Sequence, residues 1–245
     1  ARRNTAERVD LSLVELSHLA IRPDSFGLAV VQERDRVGRG TLAGRWVWKK
    51  ELRVAIEEVA IGAEGVLGAT TEDGRLVIFD PAGAASDGYK AEPAEPLCLI
   101  EAVPGAPYPV AWHTLARRSQ VLRGHDAKGR VIWESPVPWE GWQLQRLGPL
   151  ILVSAPDGRA LAYDGAGHLR SQCKATDTTK NEYGVGPTGE PCRVSRQGVH
   201  LICAGLDGRV RWRSVASEPI GPLAVGQGGV AVLIGRALCW FPSLE

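Results

Sequence analysis

The sequence of 245 residues predicts an all-β protein, and three observations support this fold class. The 29 glycines and 16 prolines are spread along the chain and separate short apolar runs. These runs are rich in Val, Ile, Leu and Trp, and β-branched and aromatic residues favour strands. No stretch has the 3.6-residue period of an amphipathic helix over a convincing length.

Tight turns are predicted where Asp-Gly follows a short apolar run. The three copies are Asp73-Gly74-Arg75, Asp157-Gly158-Arg159 and Asp207-Gly208-Arg209. Asp-Gly favours two-residue hairpin turns, in which both central residues need a positive φ. The runs that precede these turns, at 65–70, 150–155 and 199–204, are apolar on both faces. We therefore expect strands that are covered on both sides.

A second signal repeats along the chain and consists of a residue with a ring side chain (Phe, His or Tyr), Asp, two further residues and Gly. Its copies are residues 79–83, 125–129 and 163–167. A strand of the pattern Gly-Arg-x-x-Trp occurs at 44–48, 129–133 and 208–212. The glycines at 44, 83, 129, 167 and 208 are 39, 46, 38 and 41 residues apart. A period of about 40 residues that holds three or four short strands is typical of the blades of a β-propeller.

The period predicts a single β-propeller domain over residues 1–245, with about six blades. Residues 207–212 fit either an inner hairpin or an outer strand, so about seven blades, or five, are the alternatives. The last apolar run, 229–241, leaves too few residues for the outer strand of its blade. The run 9–21 alternates through Leu11 and Leu13 and supplies a spare strand. We therefore predict that pairing of the N- and C-terminal strands closes the ring, which removes exposed edges.

The order of these motifs resembles the PQQ-like, or quinoprotein-type, β-propeller repeat. The resemblance covers residues 26–240, and residues 129–134 are its closest copy. The departures are Asp87 and Ser171 in place of the Trp, and Ser119-Gln120 in place of Asp-Gly. Scaffold proteins that bind no cofactor share this repeat, so the resemblance implies the architecture and no single activity.

No cofactor, metal or catalytic residue is expected. Quinoprotein dehydrogenases with this repeat are much longer, and their adjacent cysteine pair is missing here. The GxGxxG at 184–189 lacks the preceding strand and following helix of a dinucleotide site, which favours a surface loop. The five histidines show no metal-ligand spacing, and His125 stands where other repeats have Phe79 or Tyr163. No nucleophile elbow or Walker motif is recognisable.

Charge and cysteine usage restrict the partners and the compartment. The 29 basic and 28 acidic residues leave a net charge of +1, so no global field attracts nucleic acid. No run approaches the ~18 apolar residues of a membrane span. The five cysteines form no CxxC, which favours unpaired thiols and a cytoplasmic location. Only Cys173 and Cys192 flank a polar loop that a disulfide could close, and this leaves a periplasmic location as the alternative.

Aromatic residues in proline-rich connections form the candidate protein-binding surface. The repeat accounts for Trp48, Trp133, Trp212 and Trp240 as packing wedges between blades. The candidates for binding are Trp139, Trp142, Tyr108 and Trp112, together with Arg117 and Arg118 from an arginine cluster. Rigid aromatic residues and arginine are typical of interface hot spots. The alternative is that these rings cap blade ends and that the arginines cover solvated strand faces.

The sequence therefore predicts a non-enzymatic β-propeller scaffold that mediates protein–protein interaction within a larger assembly, with another protein as its partner. A small hydrolase or lyase with a central-funnel site is an alternative, because residues from separate blades escape a spacing search. A third interpretation is an exported envelope assembly factor, similar to outer-membrane lipoprotein propellers.

Overall fold

The computed structural model consists of short strands joined by turns. It describes residues 16–22, 27–32, 34–41, 45–92, 94–102, 110–140, 143–173, 181–185, 191–226, 229–234 and 237–242. The one helical segment in these ranges is a 3-10 turn at Ala63–Gly65, so the predicted all-β class is confirmed. No helix in the described ranges has the length and apolar character that a membrane crossing requires. The chain divides into two compact units, Ala1–Pro138 and Trp139–Glu245.

The first unit contains three antiparallel sheets of four strands, each paired in chain order. The first sheet comprises β1 (Leu16–Arg22), β2 (Gly27–Gln32), β3 (Arg36–Thr41) and β4 (Trp46–Glu51). The second comprises β5 (Ile56–Ile61), β6 (Leu67–Thr71), β7 (Arg75–Phe79) and β8 (Ala85–Lys90). The third comprises β9 (Leu97–Glu101), β10 (Trp112–Ala116), β11 (Val121–His125) and β12 (Val131–Pro136).

The second unit contains two sheets of four strands and, in its described residues, a last sheet of three. The fourth sheet comprises β13 (Gln143–Leu147), β14 (Leu150–Ser154), β15 (Ala160–Tyr163) and β16 (Leu169–Cys173). The fifth comprises β17 (Asn181–Val185), β18 (Pro191–Gln197), β19 (His200–Gly205) and β20 (Val210–Val215). The sixth comprises β21 (Ile220–Gly226), β22 (Gly229–Ile234) and β23 (Ala237–Pro242).

The central strands of each unit are covered on both faces, as their apolar runs predict. On β7, Val77 and Phe79 point to a core shared with the first sheet, which includes Val37 and Trp48. The alternate residues of β7 point to a core shared with Leu99 and Trp112 of the third sheet. This alternation follows from the two-residue period of a strand, and it places apolar layers between consecutive sheets of the unit.

The fourth strand of each complete sheet is its exposed edge. The Gly-Arg-x-x-Trp segments lead into β4, β12 and β20, so their Trp residues stand on outer strands. The turn at Asp207 joins β19 to β20, the third and fourth strands of the fifth sheet. Residues 207–209 therefore form the turn before an outer strand that begins at Val210, which keeps the 41-residue step of the repeat.

The Asp-Gly turns differ from the predicted two-residue hairpins. The amide of Ala155 donates to the carbonyl of Arg159 at 2.9 Å, and the amide of Gly158 donates back to the carbonyl of Ala155 at 3.0 Å. The loop thus has three residues, and its only positive φ is the 83° of Gly158. Asp157 keeps a negative φ because a glycine at the last loop position suffices to reverse the chain.

The aspartate of the second motif organises a turn of the same geometry. Asp126 Oδ1 accepts the amides of Lys128 at 2.8 Å and Arg130 at 2.9 Å. Gly129 has a φ of 80° in this turn. Burial alone raises the pKa of the Asp126 carboxyl, but these hydrogen bonds and the Arg130 guanidinium lower it below its ordinary value. Asp80 and Asp164 accept the equivalent pairs of amides in their own turns.

The predicted closing run is used differently from our expectation. Its described part lies in β1, which pairs with β2 so that Ile21 stands opposite Leu28 in the first sheet. Residues 16–22 thus form a strand of the first sheet, paired with β2, and are not available to complete the last sheet. Residues 9–15 lie outside the described part of the chain. The number of blades and the pairing of the chain ends remain predictions.

Candidate protein-binding surface

Trp139 is the described aromatic residue that best fits the predicted surface. It is half-buried and precedes the first strand of the second unit. The guanidinium carbon of Arg159, from the β14–β15 turn, lies 5.2 Å from the centre of its ring. A cation over an aromatic face at a partly exposed site contributes about 0.5–1 kcal/mol. Trp139 is therefore held against this turn while part of its ring remains accessible.

The β14–β15 turn fixes Arg159 in this position. Arg159 Nε donates to Asp157 Oδ2 at 2.7 Å, and the Arg159 amide donates to Asp157 Oδ1 at 3.0 Å. The hydroxyl of Tyr183 donates to the carbonyl of Gly158 at 3.2 Å. Tyr183 is buried, and this burial raises its pKa to about 12, so it remains a donor. Asp157, Arg159 and Trp139 thus form a rigid cluster, which we call the Trp139 cluster.

Two of the predicted binding residues, Tyr108 and Trp142, lie outside the described residues. A third, Trp112, is in the wrong environment for a binding anchor because only 1% of it is exposed. Its ring covers two glycines: a Cβ on Gly62 would lie 2.7 Å from Trp112 Cη2, and one on Gly68 would lie 3.1 Å from Cε3. Trp112 is a core residue of the first unit. It belongs to the third sheet, whereas of the two glycines that leave space for its ring, Gly62 directly follows β5 and Gly68 lies in β6 of the second sheet.

Arg117 and Arg118 have opposite environments in the β10–β11 turn. Arg117 is half-buried, and its Nε donates to Cys98 Sγ at 3.1 Å. Burial lowers the pKa of Arg117, but the neighbouring Cys98 and Glu58 raise it above its ordinary value. Arg118 is exposed, while its amide donates to Oε2 of the buried Glu95 at 2.7 Å. Arg118 therefore presents more of its side chain to solvent than Arg117 does.

Sequence reasoning missed Glu95 and the partners of Trp139. Glu95 is 2% exposed and also accepts the amide of Ser119 at 3.1 Å, so it fixes the β10–β11 turn. Its position in a proline-flanked connection carries no local signal for this role. The sequence pattern indicates only a turn at Asp157 and Arg159, although an Asp-Gly-Arg turn also places a cation beside the preceding connection.

The predicted packing wedges are confirmed in part. Trp48 is buried and stacks on Phe79, with ring centres 5.2 Å apart. Trp133 and Trp212 are half-buried on their outer strands. Trp240 departs from the prediction because 58% of it is exposed. It stands on β23, the last strand of a sheet that has three strands in the described residues.

The buried histidines have structural surroundings. His125 is fully buried, with Nε2 2.7 Å from Thr114 Oγ1 and Nδ1 3.0 Å from the carbonyl oxygen of Gly129, which confirms its predicted packing role. Burial lowers its pKa to about 4. Burial and the neighbouring His125 lower the pKa of His113 to about 3. Within the described ranges, no three His, Cys, Asp or Glu side chains are grouped closely enough to hold a metal ion.

None of the five cysteines, which all lie in described ranges, forms a disulfide, and four of them are buried. The thiol of Cys173 accepts a hydrogen bond from Arg193 Nη1 at 3.2 Å and belongs to the core of the fourth sheet. Cys192 belongs to the core between the fifth and sixth sheets. The two cysteines that the sequence marked as a possible disulfide therefore occupy separate apolar cores.

Comparison with known proteins identifies the fold. No family model and no curated protein matches the sequence. Among solved structures, the β-propeller domain of Cps50 (Swd1) from Myceliophteria thermophila is 12% identical with a TM-score of 0.65, over 94% of this chain and 83% of that chain. The WD40 β-propeller domain of Doa1 is 12% identical with a TM-score of 0.58, over 94% and 79%.

A third similar structure is BBS1N in complex with ARL6DN. It is 15% identical with a TM-score of 0.60, over 89% of this chain and 75% of that chain. At these identities the similarity concerns the fold alone, and the quinoprotein-type relationship remains a prediction. The sheets of four antiparallel strands and these structural neighbours together show that the chain has a β-propeller fold.

Proposed function

We propose that this β-propeller is a non-enzymatic scaffold that binds another protein through the Trp139 cluster. The observation that carries the proposal is the half-exposed Trp139 ring, held by Arg159 on a turn that Asp157 and Tyr183 fix in place. The structural similarity to WD40 domains, and to BBS1N in its complex with ARL6DN, supports a role in protein binding.

The cluster combines the features that make an interface anchor strong. Trp and Arg are enriched at interface hot spots, because an indole buries a large surface with few rotatable bonds and a guanidinium presents several donors in a planar fork. The hydrogen bonds of the turn already restrict Arg159, so binding costs less side-chain entropy. The side chains of Arg159 and Asp157 remain 41% and 47% exposed. The surface therefore fits a partner with an apolar pocket for the indole ring and polar groups around it.

The remaining predicted residues are kept as secondary contacts. Trp142 follows Trp139 by three positions in the same connection and is proposed as part of the same surface. Tyr108 and Arg118 belong to the first unit and are proposed as a separate, weaker contact. Arg117 and Trp112 are left out, because their side chains are engaged within the unit.

Co-purification from the native host tests the proposal, with the full chain as bait. We expect Trp139→Ser and Arg159→Ala to lose the specific partner, with a loss of ~2 kcal/mol in affinity for Trp139→Ser. Trp240→Ser is the matched control, because Trp240 is also an exposed indole but lies on another sheet. Unchanged recovery with Trp139→Ser, or loss of the partner with Trp240→Ser alone, contradicts the proposal. Melting temperatures of all variants establish that the bait remains folded.

We also propose that the propeller has six blades and that its two chain ends pair to complete the last blade. The six sheets of the described residues support the count, and the three strands that the last sheet has among those residues support the pairing. The lack of a disulfide among the five cysteines, all of which lie in described ranges, supports a reducing compartment for this scaffold.

A further inference from the structure

Strand β20 is an edge of the fifth sheet, and among the described strands it pairs with β19 alone. The Ala216 amide donates to the carbonyl of Val199 at 2.8 Å, and Val215 stands opposite His200. Hydrogen-bonded and non-hydrogen-bonded positions alternate along an antiparallel pair. Val215 and Arg213 therefore occupy non-hydrogen-bonded positions, and their backbone N–H and C=O groups point away from β19.

This edge carries a concentration of positive charge. Arg209 directly precedes the strand, Arg211 and Arg213 lie within it, and Asp207 is the one acidic residue between positions 207 and 215. Three arginines and one aspartate give this segment a charge of +2, whereas the whole chain has +1. The Arg209 side chain is 92% exposed, and Arg211 and Arg213 are exposed as well.

The arginines lie on both faces of the sheet. Arg213 stands opposite Ile202, which points away from the core that Cys203 shares with the sixth sheet. A Cβ on Gly205, on the Cys203 face of β19, would lie 3.8 Å from Nη2 of Arg211. A strand placed against this edge therefore meets a cation on each of its faces.

The outer strands of the other complete sheets carry or contact an acidic residue. In β12, Glu134 Oε1 accepts Arg123 Nε at 2.6 Å, and in β16, Arg170 Nη2 lies 2.6 Å from Asp164 Oδ2. Strands β4 and β8 each include an acidic residue of their own. In β20 the two charged residues are both arginines. Like charges placed opposite each other are destabilising, so this edge disfavours basic strands, including the β20 of a second copy.

We propose that β20 receives an acidic, extended segment of another protein as a fifth strand of its sheet. The outward backbone groups of Arg213 and Val215 pair with the backbone of the segment, as in other cases of strand addition. Carboxylates on both faces of the segment accept hydrogen bonds from the arginines, because a guanidinium binds a carboxylate through two parallel bonds. The side chains of Val210 and Val215, at the two ends of the strand, are 45% and 66% exposed and add apolar contacts.

A peptide fits this edge better than a nucleic acid does. Phosphate oxygens accept hydrogen bonds, so they satisfy the outward N–H groups and the arginines but leave the outward C=O groups without donors. A peptide backbone supplies both donors and acceptors at the spacing of the strand. The surface is separate from the Trp139 cluster, and the inference does not depend on the function proposed for that cluster.

Fluorescence anisotropy of a labelled peptide, with the full chain as the receptor, tests the proposal. The probe is a peptide of about ten residues of Glu, Thr and Val, of which about half are Glu. We expect it to bind, and to bind about tenfold more weakly when Gln replaces each Glu. A third peptide is methylated at alternate backbone nitrogens, which keeps every carboxylate but blocks the ladder. We expect this peptide to lose binding to a similar extent.

Variants of the chain locate the surface. Arg213→Glu and Arg209→Glu are expected to weaken binding about tenfold, because they place a like charge beside the peptide. Arg130→Glu is the matched control, since Arg130 occupies the same place before β12 and its side chain is 75% exposed. Val215→Pro keeps every arginine and removes one outward donor, and edge strands accept proline at such positions, so it is expected to fold but to lose the peptide. Melting temperatures show that each variant is folded.

The outcomes that overturn the proposal are distinct from a failure of the Trp139 cluster. Lack of binding by the acidic peptide overturns it, as does equal binding to Arg213→Glu and to the unmodified chain. Equal affinity for the methylated peptide, or for a single-stranded oligonucleotide of the same charge, also overturns strand addition, because the edge then attracts charge alone. Trp139→Ser is expected to bind the peptide as the unmodified chain does.

Discussion

His113 is a buried imidazole whose two ring nitrogens lack a hydrogen-bond partner among the described residues. Only 2% of it is exposed, and its ring centre lies 5.6 Å from that of Trp133. A buried polar group without a hydrogen-bond partner costs about 1–3 kcal/mol. The neutral His113 ring therefore lowers the stability of the folded state. The same burial makes the residue a source of acid sensitivity.

We predict that protonation of His113 destabilises the fold below pH 6.5. Folding lowers its pKa from 6.5 to about 3, so the unfolded state binds the proton first. The contribution of His113 to the free energy of unfolding is therefore constant above pH 6.5 and falls by about 1.4 kcal/mol per pH unit toward the folded pKa. His113→Leu is expected to remove about one proton from this dependence and to add ~1 kcal/mol at neutral pH.

Urea denaturation between pH 7 and about 4.5 measures this dependence before the carboxylates, with unfolded pKa values of about 4, contribute. His200→Leu, at an exposed histidine, controls for the general effect of replacing a histidine with leucine. An equal pH dependence in His113→Leu and in the unmodified chain contradicts the prediction. His125 retains its own contribution in both proteins, because its pKa is also lowered by burial.

Sequence patterns identified residues whose roles are local, and missed those whose roles depend on distant chain segments. His125 was predictable, because the repeat places it where Phe79 and Tyr163 stand. His113 was not predictable, because the lack of hydrogen-bond partners for its ring nitrogens depends on which sheets pack around β10. The arginines around Trp212 were visible in the sequence, but their place on an open edge was not, because residues 207–212 fitted either an inner hairpin or an outer strand.

At the scale of elements, the outer-strand tryptophans depend on glycines of the third strand. In the third sheet Trp133 stands opposite Gly124, and a Cβ on Gly124 would lie 2.8 Å from Trp133 Cζ2. In the first sheet Gly38 underlies Trp46, with the corresponding Cβ 2.9 Å from Cε3. A ring that lies flat on the strand needs a glycine below it, so the two residues form one packing unit.

We predict that Gly124→Ala and Trp133→Ala are coupled. Trp133→Ala alone is expected to cost ~3 kcal/mol, because a large half-buried ring is lost. Gly124→Ala forces the ring away and is expected to cost about 1–3 kcal/mol. In the double variant the added methyl group meets no ring, so the costs are less than additive. Urea denaturation of the four proteins measures the coupling, and strict additivity contradicts this packing unit.

The aspartate turns provide a second test at this scale. Asp126→Ala leaves the amides of Lys128 and Arg130 without their acceptor, and we expect a loss of about 0.5–2 kcal/mol, as at helix caps. Asp126→Asn keeps an oxygen at the same position and is expected to retain most of the stability. Asp87→Ala is the control, since the Asp87 side chain is 69% exposed. Equal losses in the alanine and asparagine variants contradict the acceptor role.

At the scale of the whole molecule, the repeat period predicted about six blades, and the described residues contain six sheets. The period works because each repeat makes one sheet from consecutive strands. It did not assign the N-terminal residues, because a strand of alternating apolar residues fits the start of one sheet as well as the end of another. The register of β1 with β2 shows that residues 16–22 form the first strand of the first sheet.

The last prediction concerns the residues before β1 and the sixth sheet, which has three strands in the part of the chain that the structure describes. Connections from the fourth strand of one sheet to the next sheet include residues 52–55 and 216–219, each of four residues. A strand that precedes β1 with the same connection ends at residue 11, so deletion of residues 1–11 removes it and keeps β1 complete. Each kcal/mol lost lowers the melting temperature of a chain of this size by about 2–4 °C.

We therefore expect this deletion to lower the melting temperature by roughly 5 °C or more, since a whole strand loses its ladder and its apolar contacts. Two point variants separate pairing from a general effect of truncation. Leu11→Asp places a charge on the apolar face of the strand and is expected to destabilise the chain, whereas Asp10→Ala, on the opposite face, leaves its stability unchanged. If the deletion melts at the temperature of the full chain, the two ends do not pair, and the edge of β23 is completed in another way or remains open.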